Sequence, residues 1–318
     1  MSEELIFTTD DRVVSNLSRL AKEHSLVSEQ RLLELCDVAF SMAEATGSLL
    51  FDGLDAYEIL SFFEDSIALG DYSVSDETTY EHRAAILRGT ENLKRVDRAI
   101  LVGLYLDAIK ERGYPVSEYD FLPGAEADET FTYVRNSFSD EAYDVFSQDF
   151  SDPKVRYSSS FKECAQAVVD GDVSYCLLPL EERGGSRLHT VSEIIFRNDF
   201  KINSVIPVFG PDGSADMKYA LLSKNFVVPN RAPDDDLYLE IRLGADDSLA
   251  LSETLAAIDY LGMRVYRANT VTFDTEGESE TYFSVVIKDS GEGFSPILTY
   301  LMLFVRDFVP VGIYKNLE

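Results

Sequence analysis

The chain has 318 residues, of which 45% are hydrophobic, so it is long enough for two or three domains with apolar cores. Its 57 acidic and 28 basic residues give a formal net charge of −29, which repels phosphate backbones and anionic membrane surfaces. We therefore expect neither nucleic acid nor a membrane as a partner. The sequence has no apolar run of membrane-spanning length and no signal-peptide pattern at its start, which predicts a cytoplasmic location.

The N-terminal part, residues 1–125, is predicted to be an all-helical domain. Apolar residues recur there at three- and four-residue spacing, which is typical of amphipathic helices. The predicted helices are Asp11–Glu23, Ser28–Ala45, Asp55–Leu69, Asp76–Arg88 and Thr90–Arg112. Leu122–Glu129 then predicts a linker from its proline, glycine and acidic residues.

The segment Ser160–Ile195 has the pattern of one compact unit. Ser160, followed three positions later by Glu163, predicts a capping box, and apolar residues at helical spacing continue to Gly171. Val173–Leu178 is an almost wholly apolar run, typical of a strand that is buried on both faces of a parallel sheet.

The end of that strand predicts a ligand-facing loop. We expect Pro179 to end the strand, so that Glu181 and Glu182 lie on a loop at its carboxyl end. Open α/β sheets place their ligands at such loops. A helix at about Thr190–Phe196 follows.

The C-terminal part, residues 231–318, alternates predicted strands and helices in the order βαββαβ. Alternating and β-branched residues predict the strands, and apolar residues at helical spacing predict the helices. The elements are strand Leu237–Leu243, helix Ser248–Leu261, strand Met263–Phe273, a hairpin turn at Asp274–Ser279, strand Thr281–Ile287, helix Ile297–Phe308 and strand Val309–Tyr314. This order predicts a ferredoxin-like domain.

Three motifs in these segments resemble the prephenate dehydratase family. Where the family has Pro-Ile-Glu-Asn-Ser at the end of a strand, Pro179–Arg183 reads PLEER. Tyr133–Ala142 resembles a shortened copy of the family's opening motif without its glycines, and Val311–Tyr314 (VGIY) resembles the Leu-Gly-Ser-Tyr ending of its ACT domain. The resemblance implies a dehydratase-like domain over residues 126–230 and an ACT-like regulatory domain over residues 231–318.

The resemblance also implies a changed catalytic region. In the family a second lobe precedes a Thr-Arg-Phe motif whose threonine is linked to catalysis, whereas here Lys201–Phe209 is followed almost directly by Met217 and Lys218. Met217 then occupies the position of the threonine, and it offers neither a hydroxyl donor nor a proton-transfer group. We therefore expect a reduced, one-lobe periplasmic-binding-protein-like domain without catalytic residues. If the chain were active, its catalytic site would lie at the family's positions, which here are Ser137, Glu181, Met217 and Lys218.

The resemblance further implies an effector site and a dimer. In the family two ACT motifs bind phenylalanine across a dimer interface. By position, the first motif falls on Leu249, Ala250 and Leu251, and the second begins at Asn269 and Thr270. Leu249 replaces a glycine of the first motif and adds a side chain where the backbone must approach the amino acid closely. We therefore expect an amino-acid effector to bind at these residues and the chain to form a homodimer through the ACT domain.

We interpret the chain as an α/β protein with a noncatalytic regulatory or ligand-sensing function, derived from prephenate dehydratase of phenylalanine biosynthesis. The alternative is an active dehydratase that converts prephenate to phenylpyruvate, alone or fused to a chorismate mutase-like helical domain. No metal or other cofactor is expected, because His24, His82 and His189 have no ligand-spaced partners and Gly184-Gly185 lacks the spacing of a nucleotide-binding loop.

Overall fold

The computed structural model describes residues 27–69, 86, 90, 92–122, 124, 127–183, 185–210, 215–227, 236–245, 248–275, 278–289, 291, 293–305 and 307–315. The fold is mixed α/β, with a helical N-terminal region and two sheets, which confirms the predicted fold class. The chain forms two compact units. The first comprises Met1–Phe121, Ser252–Gly262 and Gly293–Arg306, and the second comprises Leu122–Leu251, Met263–Glu292 and Asp307–Glu318. The three predicted domains, residues 1–125, 126–230 and 231–318, stay a prediction.

Helices dominate the N-terminal region. They are α1 (Glu29–Phe51), α2 (Ala56–Leu69), α3 (Arg95–Glu111) and the short α4 (Glu118–Phe121). Ser28 caps α1 as its predicted start requires, because its hydroxyl accepts a hydrogen bond from the Arg31 N–H at 3.2 Å. The predicted helix Asp11–Glu23 and most of Asp76–Arg88 lie outside the described residues. Among the helices that are described, none is long and apolar enough to cross a membrane.

The first sheet has five strands in the order β2-β1-β3-β5-β4. The strands are β1 (Thr130–Val134), β2 (Lys154–Ser158), β3 (Tyr175–Glu182), β4 (Lys201–Phe209) and β5 (Ala215–Ser223). The accompanying helices are α5 (Ser137–Phe146), α6 (Phe161–Val169) and α7 (His189–Arg197). Strands β1, β2 and β3 are parallel, whereas β5 is antiparallel to both β3 and β4, so β3 has one parallel and one antiparallel neighbour.

Strand β3 does not end at Pro179, contrary to the prediction. It continues to Glu182, with Pro179 opposite Tyr219 of β5 and a bulge between Pro179 and Glu181. A proline is tolerated there because a bulge does not require its missing N–H. Glu181 therefore lies within a strand and is 6% exposed, rather than on a loop at the end of the strand.

The N-terminal cap of α6 is only partly as predicted. The Ser160 hydroxyl accepts a hydrogen bond from the Glu163 N–H at 3.2 Å, which confirms the cap. The Glu163 carboxylate, however, accepts from the N–H and the hydroxyl of Ser159 at 2.7 and 2.6 Å, one residue further back than a capping box requires.

The second sheet has four antiparallel strands in the order β7-β8-β6-β9. Its strands are β6 (Leu237–Gly244), β7 (Arg264–Thr275), β8 (Glu278–Lys288) and β9 (Phe308–Lys315). Helix α8 (Ser248–Tyr260) follows β6 in the chain, and helix α9 (Ser295–Phe304) follows β8. The predicted βαββαβ order is thus confirmed.

Both sheets contribute to one apolar cluster of the second unit. Leu180 and Val205 of the first sheet and Tyr238, Val286 and Tyr314 of the second belong to it, and all are buried. The strands β4 and β9 approach each other closely at Gly312, where an added Cβ atom would lie 2.1 Å from the carbonyl oxygen of Ile202. The charged site described below lies in this unit.

The first unit has a core of its own, built from helices. Phe63 and Tyr105 are buried there with their ring centroids 6.0 Å apart, and the Tyr105 hydroxyl lies 2.9 Å from that of Thr46. Helix α9 packs against α2, α3 and α4 in this core. Burial raises the pKa of Tyr105 to about 12, so its hydroxyl stays neutral.

Candidate functional site

Four charged side chains form a buried series of ion pairs in the second unit. Arg187 donates two hydrogen bonds to Glu240, at 2.6 and 2.5 Å. Glu181 accepts a hydrogen bond from Arg267, and one of its oxygens lies 3.9 Å from Arg187 Nε. The side chains of Arg187, Glu181 and Glu240 are between 3% and 13% exposed. Buried charges need partners of this kind, because desolvation of an unpaired ion is costly.

Strand irregularities place most of these side chains. Glu181, Glu240 and Arg267 each lie next to a register shift of their strand. A bulge turns a side chain away from the direction that regular alternation would give it. Arg187 lies on the segment between β3 and α7, which is fixed by hydrogen bonds from Glu182 N–H to the Ser186 carbonyl and from Leu188 N–H to the Leu180 carbonyl.

The Glu240 carboxylate has its accepting capacity filled. One oxygen accepts from Arg187 and from the Ser284 hydroxyl at 3.0 Å, and the other accepts from Arg187 and from the Tyr314 hydroxyl at 3.0 Å. A carboxylate has about four lone-pair sites, so no site is left for a further donor unless one of these bonds breaks.

The protonation states of this cluster follow from burial and charge. Burial by itself lowers the pKa of Arg187, but the attraction of Glu240 more than offsets this, and the pKa is raised. Burial and the neighbouring Glu240 hold the pKa of Tyr314 well above its ordinary value. Arg187 is therefore a permanent cation, and Tyr314 is a neutral donor.

A cavity of about 490 Å³ opens beside these ion pairs. The segment before α7, α7 itself and the strands β6, β7 and β8 supply most of its wall. The lining residues are Gly185, Ser186, Arg187, His189, Ser192, Ile195, Phe196, Glu240, Arg242, Arg267, Asn269, Thr270, Val271, Thr272, Phe273, Tyr282, Ser284 and Val311. His189 Nε2 donates to the carbonyl oxygen of Thr272 at 2.9 Å and so joins α7 to β7 at the edge of the cavity.

Among the arginines of the described cavity wall, Arg242 has the longest hydrogen bonds to its partners. Its two terminal nitrogens donate to the carbonyl oxygen of Phe196 at 3.3 Å and to Asp199 at 3.4 Å, and its buried Nε–H has no hydrogen-bond partner among the described residues. Asp199 also accepts from Lys201 at 2.8 Å, so two cations share one carboxylate. Burial lowers the pKa of Arg242, and Asp199 only partly offsets this.

Aromatic rings form the apolar part of the wall. The rings of Phe196 and Phe273 stack at 5.1 Å, and those of Phe196 and Tyr282 lie 4.1 Å apart. The Arg242 guanidinium carbon lies 4.5 Å from the Phe196 ring centroid, within the range of cation–π contact. The cavity thus combines a cation with flat apolar surface, as sites for small organic ions do.

The residues predicted for effector binding do not all meet at this cavity. Asn269 and Thr270 of β7 line it, whereas Ala250 and Leu251 lie on α8 and do not. Leu249 is also part of α8, but its side chain lies outside the described residues. Binding of an effector by the whole predicted set stays a prediction.

The family positions for catalysis do not line the cavity, although Glu181 belongs to the ion pairs beside it. Glu181 faces Lys218 across β3 and β5, and both line a separate void of about 10 Å³. Met217 lies opposite Glu182, and its half-buried side chain packs against an apolar cluster. Ser137 is exposed at the first turn of α5 and does not line that void.

Of the charged residues of the site, sequence reasoning singled out Glu181 and missed Arg187, Glu240, Arg242 and Arg267. A usable signal was present in β6, where Glu240 and Arg242 lie two positions apart between apolar residues and therefore point to one face of the sheet. Charges within an apolar strand indicate a paired or ligand-binding face. No signal of this kind marks Arg187 or Arg267, because their partners are distant in sequence.

The chain has only low sequence identity to the solved structures that it resembles. No protein-family model and no curated protein matches the chain. Prephenate dehydratase from Streptococcus mutans is 13% identical and superposes with a TM-score of 0.48, covering 59% of this chain and 99% of that chain. Prephenate dehydratase from Arthrobacter aurescens, solved in complex with L-Phe, is 12% identical with a TM-score of 0.45, covering 58% of this chain and 89% of that chain.

A third solved structure has a different description. GqqA, described as a novel type of quorum-quenching acylase, is 18% identical with a TM-score of 0.44, and the match covers 59% of this chain and 95% of that chain. At these identities and TM-scores the likeness assigns neither a family nor an activity.

Proposed function

We propose that the chain is a noncatalytic, ligand-sensing protein of aromatic amino acid metabolism, derived from prephenate dehydratase and acting in the cytoplasm. The resemblance of Tyr133–Ala142, Pro179–Arg183 and Val311–Tyr314 to family motifs supports the derivation. The proposal that the chain is noncatalytic rests on the surroundings of the Glu181 carboxylate. Its carboxylate is paired with Arg267 within a buried strand instead of facing a cleft.

The space around Glu181 supports the same proposal. The void that Glu181 shares with Lys218 measures about 10 Å³, which is enough for about one water molecule. A substrate of the size of prephenate needs a site of a few hundred Å³. Met217, on the strand opposite, has no group for proton transfer. Glu181 and Lys218 therefore have the residue types of an acid–base pair without room for a substrate.

The sensing part rests on the cavity of about 490 Å³ beside the ion pairs. Its volume, its aromatic wall and its guanidinium groups suit a small organic anion. Because Arg187, Arg267 and Glu240 belong both to the cavity wall and to the ion pairs that join the two sheets, a ligand there would change the stability of this unit. We include in the proposal a homodimer formed through the second sheet, as the resemblance implies.

Thermal unfolding of the full-length protein tests the sensing function. The amino acids and their deaminated analogues are screened one by one, each in excess. A ligand at a hundredfold excess over its Kd stabilises the folded state by roughly 2.7 kcal/mol, so a genuine ligand raises the Tm by several degrees. The shift should disappear in Thr270→Trp, because Thr270 is exposed on β7 and a Trp there fills the cavity. Unchanged melting with every compound would contradict the sensing function.

A further inference from the structure

We propose that the cavity between α7 and β7 binds a small aryl carboxylate that lacks an ammonium group, with Arg242 as the contact for its carboxylate. This inference rests on the proposed sensing function and names the class of its ligand. It differs from the amino-acid effector that the family resemblance implies. The pairing of the charged side chains around the cavity leads to it.

Arg242 is held only weakly by its protein partners. Its hydrogen bonds to the Phe196 carbonyl oxygen and to Asp199, at 3.3 and 3.4 Å, are longer than usual for a charged donor. Asp199, the carboxylate nearest to it, is 63% exposed and is shared with Lys201. The Arg242 side chain is 14% exposed, so a carboxylate in the cavity would give its guanidinium a closer charged acceptor, in a geometry that arginine suits.

The described wall of the cavity offers little to an ammonium group. Among the described residues that line it, Glu240 alone carries a carboxylate, and its four lone-pair sites are taken by Arg187, Ser284 and Tyr314. An ammonium group would therefore find no free carboxylate among these described residues. It would also be repelled by the guanidinium groups of Arg187, Arg242 and Arg267, so an amino acid should bind worse than its deaminated analogue.

The apolar part of the cavity wall is built from aromatic rings. Phe196 contacts the rings of both Phe273 and Tyr282, and Arg242 lies against one face of the Phe196 ring. Planar apolar groups pack well on such surfaces, and the volume of about 490 Å³ admits one aromatic ring with a short acidic side chain. The ligand class is therefore a carboxylate joined to an aromatic ring.

Isothermal titration calorimetry of the full-length protein tests this proposal with a matched pair of probes, 3-phenylpropanoate and L-phenylalanine. The two share the ring, the chain length and the carboxylate, and they differ only in the α-ammonium group. We expect 3-phenylpropanoate to bind at least about tenfold more tightly. Arg242→Gln should weaken its binding roughly 10- to 100-fold, which is typical for loss of a hydrogen bond to a charged group. Arg264→Gln is the control, because Arg264 is exposed on β7, does not line the cavity and undergoes the same change of charge.

A second variant covers the case in which Arg242→Gln fails to fold. Thr270→Trp changes an exposed position that lines the cavity and should abolish binding of 3-phenylpropanoate. Equal or tighter binding of L-phenylalanine would overturn the ligand class and leave the sensing function standing. Binding of neither probe, or binding that neither variant weakens, would overturn the site. Turnover of prephenate would overturn the noncatalytic function without bearing on the preference between the probes.

Discussion

Gly312 lies where the backbones of the two sheets of the second unit are in close contact. An added Cβ atom would lie 2.1, 2.9 and 3.0 Å from the backbone oxygen, carbon and nitrogen of Ile202. All three contacts are with backbone, which cannot move aside as a flexible side chain can. We predict that Gly312→Ala lowers the free energy of unfolding by about 1–3 kcal/mol or more, as overpacking does. Urea unfolding of the full-length protein measures this change.

Gly103 in helix α3 provides the matched control for this substitution. An added Cβ atom there meets nothing within 4 Å, and alanine favours a helix by roughly 0.5–1 kcal/mol over glycine. Gly103→Ala should therefore leave the free energy of unfolding unchanged or raise it. If Gly312→Ala unfolds at the same urea concentration as the unchanged protein, the close approach of β4 and β9 described above is wrong.

Glu240 allows a second prediction at the residue scale. Glu240→Gln removes the charge that pairs with Arg187 and leaves a buried cation only partly compensated by Glu181. Breaking a buried ion pair typically costs about 3–5 kcal/mol. We expect a loss of that order in chemical denaturation. The control is Glu193→Gln in the more exposed pair with Arg197, where a loss below about 1 kcal/mol is expected. Similar losses for the two variants would contradict the importance of the buried ion pairs.

The residues of the site show what could and could not be predicted one by one. Glu181 was singled out from its family motif, but its partner Arg267 is 86 positions away, so no local pattern connects them. Its burial was not predicted either, because Pro179 normally indicates the end of a strand. Only the pairing of β3 with β5, which depends on the whole sheet, places Glu181 inside the strand.

At the scale of elements, local patterns were sufficient for the second sheet. Alternation in Leu237–Leu243 predicted β6, and the β-branched residues of Thr281–Ile287 predicted β8, each to within a few residues at each end. The mixed pairing of the first sheet was not predictable in this way. Val173–Leu178 is almost wholly apolar, and such a run fits a strand with parallel or antiparallel neighbours equally well.

Strand β7 is the element on which the proposed dimer depends. It pairs with β8 alone among the described strands, so its other side is a sheet edge, and Val265 and Tyr266 are 40% and 47% exposed. Sheet edges of this length tend to pair with another chain. We predict a dimer of the full-length protein at tens of micromolar, measured by light scattering. Val265→Lys should shift the distribution toward monomer, since a charge on an edge strand opposes pairing.

The control for this prediction is a lysine away from the edge strand. Val169 is similarly exposed, at 40%, but lies at the end of α6, so Val169→Lys should leave the dimer intact. A monomer in the unchanged protein would contradict the proposed assembly. A dimer that Val265→Lys does not weaken would show that another surface forms it.

At the scale of the whole molecule, the net charge of −29 does not describe the surroundings of the buried arginines. The acidic excess repels phosphate backbones, as composition predicts. The cavity wall, in contrast, gathers Arg187, Arg242 and Arg267 and would attract a small anion. Composition averages over the chain, so it could not reveal this local group of arginines, which requires the folded arrangement of the segment before α7, β6 and β7.

The central claim is that this chain senses a small molecule and has no prephenate dehydratase activity. The most direct test is formation of phenylpyruvate from prephenate by the purified full-length protein at neutral pH, compared with buffer alone and with Glu181→Gln. The account predicts the same rate in all three, because Glu181 is paired with Arg267 and shares a void of only about 10 Å³ with Lys218. Turnover on the order of one per second or faster, lost in Glu181→Gln, would show that the protein is an enzyme and would contradict the account.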